Sequence, residues 1–234
     1  MKYTTATLAV LCVAGCSSTS NYEIDINSPA EVTAYTFGYQ AGEGIKNGLE
    51  DQRLDRDIFL LGIQDALHEL ESRHSLTEEE VSAAHTEHND KIGVLKEQEA
   101  LIAGEKNAKE GAEFLGTYKT RPDTKELEEG ILYTVLSPGE SGPRPAVEDT
   151  VEVHYEGRLI DGTVFDSSIS RGTPASVPLE RVIPGWQKAI TQMTEGAEWE
   201  VVIPSGQAYG SNGRAPAIGP NQTLIFKIEL IKIL

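Results

Sequence analysis

The sequence predicts an α+β protein in two parts: an all-helical N-terminal module with a long stalk helix, then an antiparallel β-sheet wrapped over a short helix. Three observations predict it. No proline occurs between Pro29 and Pro122, whereas nine of the eleven prolines stand from Pro138 onward. The proline-free stretch is rich in Glu, Ala, Leu and Lys, residues that lose little on entering a helix. From about Leu127 the pattern changes to β-branched and aromatic runs punctuated by Gly and Pro.

Three helices are predicted in the first part. One runs from about Ala30 to Lys46 and stops near Asn47-Gly48, a C-cap signal. The next covers about Asp55 to Glu71. The third opens at Thr77-Glu78-Glu79-Glu80, a capping box with Thr77 as N-cap and Glu80 at N3, and continues to Phe114 or Leu115. In it Val81, His88, Leu95 and Ile102 recur every seven residues, with Ala84 and Ile92 between them. That is one narrow apolar stripe on a charged helix about 57 Å long at the usual rise per residue. So long a helix is not expected to bury its stripe within this chain; it should space two bodies apart or pack on a partner. The first two helices carry Tyr35, Phe37, Tyr39, Ile58, Phe59, Leu60, Ile63 and Leu67, too many apolar groups for isolated helices. A homodimerisation module is therefore expected.

In the second part, Ile131–Leu136 reads as a strand ending at Pro138-Gly139. Val151–Tyr155 alternates, reaches Leu159-Ile160 and turns at Asp161-Gly162 into Thr163-Val164-Phe165, a strong hairpin signal. Trp199, Val201 and Ile203 form another strand face. Thr223–Ile233 is the last strand, with Leu224, Phe226, Ile228 and Leu230 on one side. Only Gly185–Met193 reads as helical here.

The formal net charge is −17, which argues against a nucleic-acid partner, since phosphates call for a basic face. Residues 17–149 hold 28 acidic and 12 basic side chains, whereas residues 150–234 hold 9 and 7. The acidity thus belongs to the helical part, where it favours solubility. The two Cys, at 12 and 16, exclude a disulfide scaffold. Residues 1–16 (MKYTTATLAVLCVAGC) place Lys2 before the apolar run Ala6–Ala14, the layout of a bacterial secretory signal. Val13-Ala14-Gly15-Cys16 matches a lipobox, in which the Cys becomes the lipid-modified first residue. The apolar run is too short to span a bilayer core of roughly 30 Å. Ser17, rather than Asp, after Cys16 directs the expectation to the outer membrane, facing periplasm or cell surface. The expected division is a leader over 1–15, a flexible tether over 16–29, a helical dimerisation and stalk domain over 30–121, and a sheet domain over 122–234.

The string Val151–Ser168 (VEVHYEGRLIDGTVFDSS), with Val182–Trp186 (VIPGW), Gln207–Gly210 and Thr223–Leu230, resembles the signature of the FKBP-type peptidyl-prolyl cis-trans isomerases. Tyr35–Gly42 (YTFGYQAG) and Gly62–Leu67 (GIQDAL) add a resemblance to the helical segment of that family's bacterial Mip and FkpA group. The resemblance implies a pocket that catalyses rotation about X–Pro bonds in folding or surface proteins. Trp186 would be the floor, and Tyr155, Phe165, Val182, Ile183 and Phe226 the walls. Tyr209 would donate its hydroxyl, and Ile183 its backbone N–H, to substrate carbonyls. Asp166 would sit beside the twisting amide, steadied by Tyr155 and Arg171, with Ile218 closing the loop side. Tyr155, Asp166 and Tyr209 are the expected catalytic residues, the others substrate contacts. Tacrolimus- or rapamycin-type inhibitors are expected to bind.

Such chemistry breaks no bond. Rotation about X–Pro is slow because twisting costs amide resonance, and catalysis needs only to favour the twisted state. No cofactor or metal is expected: His85 and His88 lie three apart, but no carboxylate-and-His pattern completes a site, and a solvated helix face is the reading. Several positions depart from the family pattern, notably Ala175, Ala217, Arg181 and Arg214, and make the rim smaller and more basic. The competing expectation is a dimeric chaperone or adhesin-like protein whose pocket only docks proline-containing segments.

Overall fold

The computed structural model describes residues 28–72 and 76–234. The leader, Cys16 and the tether up to residue 27 lie outside the described residues. The chain separates into two compact units, with the boundary between Ile92 and Gly93.

In the first unit, α1 spans Pro29–Asp51. Ser28 caps it: its Oγ accepts from Glu31 N (3.2 Å), and Glu31 Oε2 accepts from Ser28 N (2.9 Å). The predicted stop at Asn47-Gly48 is incorrect, since the helix passes straight through Gly48. One interior glycine costs only about 1 kcal/mol. The stop is a Schellman motif built on Arg53, at φ 51°, with Arg53 N donating to Glu50 O and Leu54 N to Leu49 O. Helix α2, Arg56–Leu67, begins with Asp55 accepting from the Asp57 and Ile58 N–H groups. It ends four residues before the expected Glu71, in the same motif, with Glu69 at φ 54° and Leu70 N donating to Asp65 O. Neither end carries the glycine that would announce it.

Helix α3, Glu78–Lys119, is 42 residues long and starts at the predicted capping box: Thr77 N donates to Glu80 Oε2 (2.8 Å) and Glu80 N to Thr77 Oγ (3.3 Å). His88 is not on a solvated face. It is half-buried, with Nε2 2.8 Å from the Gln52 carbonyl oxygen. Tyr35, Phe37, Tyr39, Ile58, Leu60 and Leu67 of α1 and α2 are each more than half exposed.

The second unit is a seven-stranded antiparallel sheet. Its strands are β1 (Lys125–Glu126), β2 (Leu132–Pro138), β3 (Thr150–Leu159), β4 (Val164–Ser167), β5 (Ala175–Pro178), β6 (Ala197–Ile203) and β7 (Leu224–Ile233). The order is β1-β2-β6-β7-β3-β4, and β5 pairs with the first half of β3. Strand β3 thus holds β7 along one edge and both β4 and β5 along the other. Between β4 and β5 lies a one-turn helix, α4 (Ser168–Arg171), which the sequence does not announce. The expected short helix is α5, Pro184–Ile190, with Trp186, Ala189 and Ile190 buried. Leu224, Phe226, Ile228 and Leu230 face it, joined by Val151, Val153 and Met193 in one core.

The opposite face of the sheet is covered too, which corrects the expectation for α3. Its C-terminal part packs on the sheet within this chain: Tyr118, Phe114 and Leu115 meet Leu132, Val202 and Ile225. The contact face is not the predicted stripe, for Ile102 is 61% exposed. It runs instead from Gly104, Asn107 and Gly111, small or polar residues that a hydrophobicity count passes over, to Phe114, Leu115 and Tyr118. A Cβ on Gly111 would collide with the Thr223 side chain, so glycine sets how closely α3 approaches the sheet. Tyr118 donates its hydroxyl to Glu200 Oε1 (2.9 Å), and Arg158 of β3 holds the other oxygen at 2.5 Å.

Overpacking at such a contact costs about 1–3 kcal/mol. Gly111→Val is therefore expected to lower the melting temperature of the second unit by about 4 °C or more by circular dichroism. Gly116→Ala, where a Cβ meets nothing within 4 Å, should not lower it. Equal melting of Gly111→Val and the unsubstituted chain would overturn this account of the α3–sheet contact.

Candidate active site

A cavity of about 380 Å³ opens on the α5 side of the sheet. Six segments build it. Strands β3 and β4 contribute Tyr155, Phe165 and Asp166, and β5 contributes Val177; the segment through α5 contributes Arg181, Val182, Ile183 and Trp186. The loop after β6 supplies Tyr209 and Arg214, and β7 supplies Phe226.

The floor is a run of edge-to-face rings. Tyr155 and Trp186 have centroids 5.2 Å apart at 82°, Trp186 and Phe226 5.3 Å at 85°, and Phe226 and Phe165 5.6 Å at 85°. Edge-to-face packing sets each ring's positive rim against its neighbour's negative face. Gly157 of β3 makes room for it, because a Cβ there would lie 2.7 Å from the Phe165 ring and 2.8 Å from Phe226.

Beside the rings stands one carboxylate. Asp166 Oδ2 accepts from the Tyr155 hydroxyl at 2.6 Å, and Oδ1 accepts from Arg171 Nη1 at 2.5 Å. Arg171 Nη2 also donates to the Tyr155 oxygen at 3.0 Å, closing a triangle. Local chain geometry makes this possible. Ser167 caps α4 by accepting from Ser170 N (3.1 Å), and the single turn carries Arg171 back over Asp166. Ser168, fully buried, accepts from Tyr155 N (2.7 Å) and ties α4 to β3. Burial opposes ionisation of Asp166, but the hydrogen bonds from Tyr155 and Arg171 and the charge of Arg171 outweigh it, so its pKa falls below the usual carboxylate value. Burial first, and the bond to Asp166 second, push the Tyr155 hydroxyl above its ordinary value, so it stays a donor.

Two further donors face outward unused. The Ile183 N–H, at the N-cap position of α5, makes no backbone hydrogen bond among the described residues. The Tyr209 oxygen accepts from Arg214 Nη1 at 3.3 Å, which leaves the phenolic proton free to be donated. Helix α3 steadies this loop: Asn107 Nδ2 donates to Pro220 O (2.8 Å), and Asn221 Nδ2 donates to Gly104 O (3.3 Å).

The structure brings Tyr155, Phe165, Asp166, Val182, Ile183, Trp186, Tyr209 and Phe226 together around one cavity, with Arg171 reaching in through Asp166. Ile218 stands apart, only 3% exposed and packed in the core behind the lining. Sequence reasoning missed Val177, Gly157, Ser168 and Asn107. Their roles are steric or arise from distant pairing, and only Gly157, a glycine inside a strand pattern, carried a signal.

Chemically, the site offers an apolar aromatic surface for a pyrrolidine ring, donors for carbonyls, and an ionised carboxylate beside them. Pre-oriented dipoles of this kind stabilise a charge arrangement without reorganising. Comparison with known proteins agrees. The FKBP-type peptidyl-prolyl cis-trans isomerase profile matches residues 142–231, and that of the domain amino-terminal to it matches residues 30–135. The peptidyl-prolyl cis-trans isomerase Mip of Coxiella burnetii is 37% identical over 216 residues, 92% of each chain.

The chain belongs to the FKBP-type peptidyl-prolyl isomerases.

The outer membrane protein MIP of Legionella longbeachae is 34% identical over all of this chain and 97% of its own. The crystal structure of FkpA from Escherichia coli superposes with a TM-score of 0.66 at 31% identity, covering 89% of this chain and 98% of that one. An FKBP-type isomerase activity is favoured over a pocket that merely docks proline segments.

The lowered pKa of Asp166 fixes the expected pH response. Its contribution is complete above the unfolded carboxylate value near 3.9 and is lost as pH falls through the lower folded value. The catalytic efficiency kcat/KM should therefore stay flat from about pH 5 to 9 and fall only below about pH 4. Arg171→Met should move that fall to higher pH. A midpoint between about pH 5 and 8 in the unsubstituted enzyme would assign the activity to another group.

Proposed function

We propose that this FKBP-type isomerase accelerates X–Pro rotation in folding or surface proteins of the bacterial envelope, anchored to the outer membrane by lipid on Cys16. Tyr155, Asp166 and Tyr209 act on the twisting amide. Phe165, Val182, Ile183, Trp186 and Phe226 hold the substrate, Arg171 steadies Asp166, and Ile218 supports the Tyr209 loop from behind. The single observation that carries the reading is the clamped, ionised Asp166 set against a ring-lined cavity with two spare donors. As the proline nitrogen leaves the amide plane it regains a lone pair, and the carbonyl carbon–oxygen pair loses its resonance partner. An apolar floor that takes water away from the dipolar planar amide favours that state over either planar isomer, while the fixed donors hold the substrate carbonyls in place. In the test, the full chain in detergent accelerates isomerisation of a short X–Pro peptide, and tacrolimus or rapamycin suppresses it. Asp166→Ala should lower kcat/KM about tenfold or more. A rate equal to the spontaneous one would overturn the assignment.

The exposed apolar side chains of α1 and α2 support a homodimer through residues 30–121, with 122–234 as the isomerase domain. The lipobox ending at Cys16 and the name of the Legionella relative support the membrane anchor. One set of fractions tests the assembly. The chain should sediment with membranes, and Cys16→Ala should release it. Residues 17–234 should show twice the monomer mass by ultracentrifugation, and residues 93–234, the second compact unit, the single mass. A soluble unsubstituted chain, or a monomer over 17–234, would overturn the respective half.

A further inference from the structure

We propose that Arg181 and Arg214 make the pocket selective for prolines flanked by an acidic residue. The proposal rests on the isomerase reading and names its substrate class. Of the three charged side chains lining the cavity, Asp166 is neutralised by Arg171 beside it, at 2.5 Å. Arg181 and Arg214 line the same cavity and form no ion pair with a carboxylate among the described residues. The cavity therefore presents two uncompensated positive charges in a chain whose formal net charge is −17.

The two arginines come from separate segments. Arg181 ends the 3₁₀ turn Leu179–Arg181, directly before the wall residues Val182 and Ile183. Arg214 lies on the loop after β6, held by the short bridge of Arg214 N to Ile218 O (2.7 Å) and Ile218 N to Arg214 O (3.0 Å). Its guanidinium carbon sits 5.8 Å from the Tyr209 ring centroid, so the cation stays at the rim. Apart from Asp166, the remaining lining offers no charge: aromatic rings, Val177, Val182 and Ile183 suit the proline ring. Consecutive Cα atoms are 3.8 Å apart, so a residue next to a seated proline emerges at the rim. A carboxylate there meets a planar guanidinium that can bind it through two parallel hydrogen bonds, whereas a lysine there meets like charge. Both arginines are exposed, so each contributes the modest gain of a surface ion pair, screened by salt.

The test is a ratio, which cancels changes in overall activity. Peptides carrying Glu, Ala or Lys immediately before proline, and a second set with the same residues immediately after it, are assayed with the full chain in detergent at low ionic strength. The Glu peptide of at least one set is expected to exceed its Lys counterpart in kcat/KM by about fivefold. That ratio should fall toward unity in 0.5 M salt and in R181Q/R214Q, and invert in R181E/R214E. The salt series uses the unsubstituted protein and so reads the effect without any risk from misfolding. Glu and Lys peptides within twofold of each other in both sets, or a ratio that the double substitution leaves intact, would overturn the proposal. Failure to accelerate any peptide, the Ala peptides included, would overturn the isomerase reading, and the selectivity with it.

Discussion

A carboxylate set beside an aromatic cavity and partly shielded from water must stay ionised. In this enzyme that constraint is met by two donors placed on either oxygen of Asp166, the Tyr155 hydroxyl and the Arg171 guanidinium. The rest of the site is arranged around the pair. Tyr155 is fixed through its backbone N–H to buried Ser168, and Ser168 begins the one-turn helix that returns Arg171 to Asp166. The ring of Tyr155 then starts the edge-to-face run that ends at Phe165, the residue directly before Asp166. Polar clamp and apolar floor therefore share the β3–β4 hairpin, which supplies Tyr155, Phe165 and Asp166. Moving either strand by one residue would exchange which side chains face the cavity.

Around this hairpin the sheet is covered on both faces, by α5 on the cavity side and by α3 on the other. The two contacts differ in kind. Helix α5 buries Trp186, Ala189 and Ile190 in a conventional apolar core. Helix α3 combines Phe114, Leu115 and Tyr118 with close approach at Gly104 and Gly111, and adds polar ties from Asn107 and Asn221. Those ties reach the loop that carries Tyr209 and Arg214. The second half of the stalk is thus part of the isomerase unit and supports one wall of its pocket.

Much of the fold and the site was legible because it rests on local chemistry. The Thr77–Glu80 capping box, the Asp161-Gly162 turn and the alternation of β7 each state their structure within a few residues. The pocket aromatics were legible as an ordered set, although each alone reads as core. The rest was hidden for identifiable reasons. Arg53 and Glu69 end helices in a conformation usually left to glycine, so no stop signal precedes them. The α3 contact face sets only Phe114, Leu115 and Tyr118 among small and polar residues, which carry little hydrophobic weight. Ile218 reads as a wall by position, yet its side chain is buried in the core and does not line the cavity.

The sequence by itself determined the α+β order of elements, the location of the acidic excess in residues 17–149, and the identity of the pocket side chains. The first two follow from propensity, periodicity and composition, which act over a few neighbours; the pocket side chains follow from the resemblance to the isomerase family. Only the tertiary structure decided that Asp166 is clamped from both sides, that Gly157 clears the rings, and that α3 closes the back of the sheet. It also decided that Arg181 and Arg214, 33 positions apart, face one cavity and form no ion pair among the described residues. Each of these depends on strand register and on how nearly two backbones approach, quantities set by long-range packing.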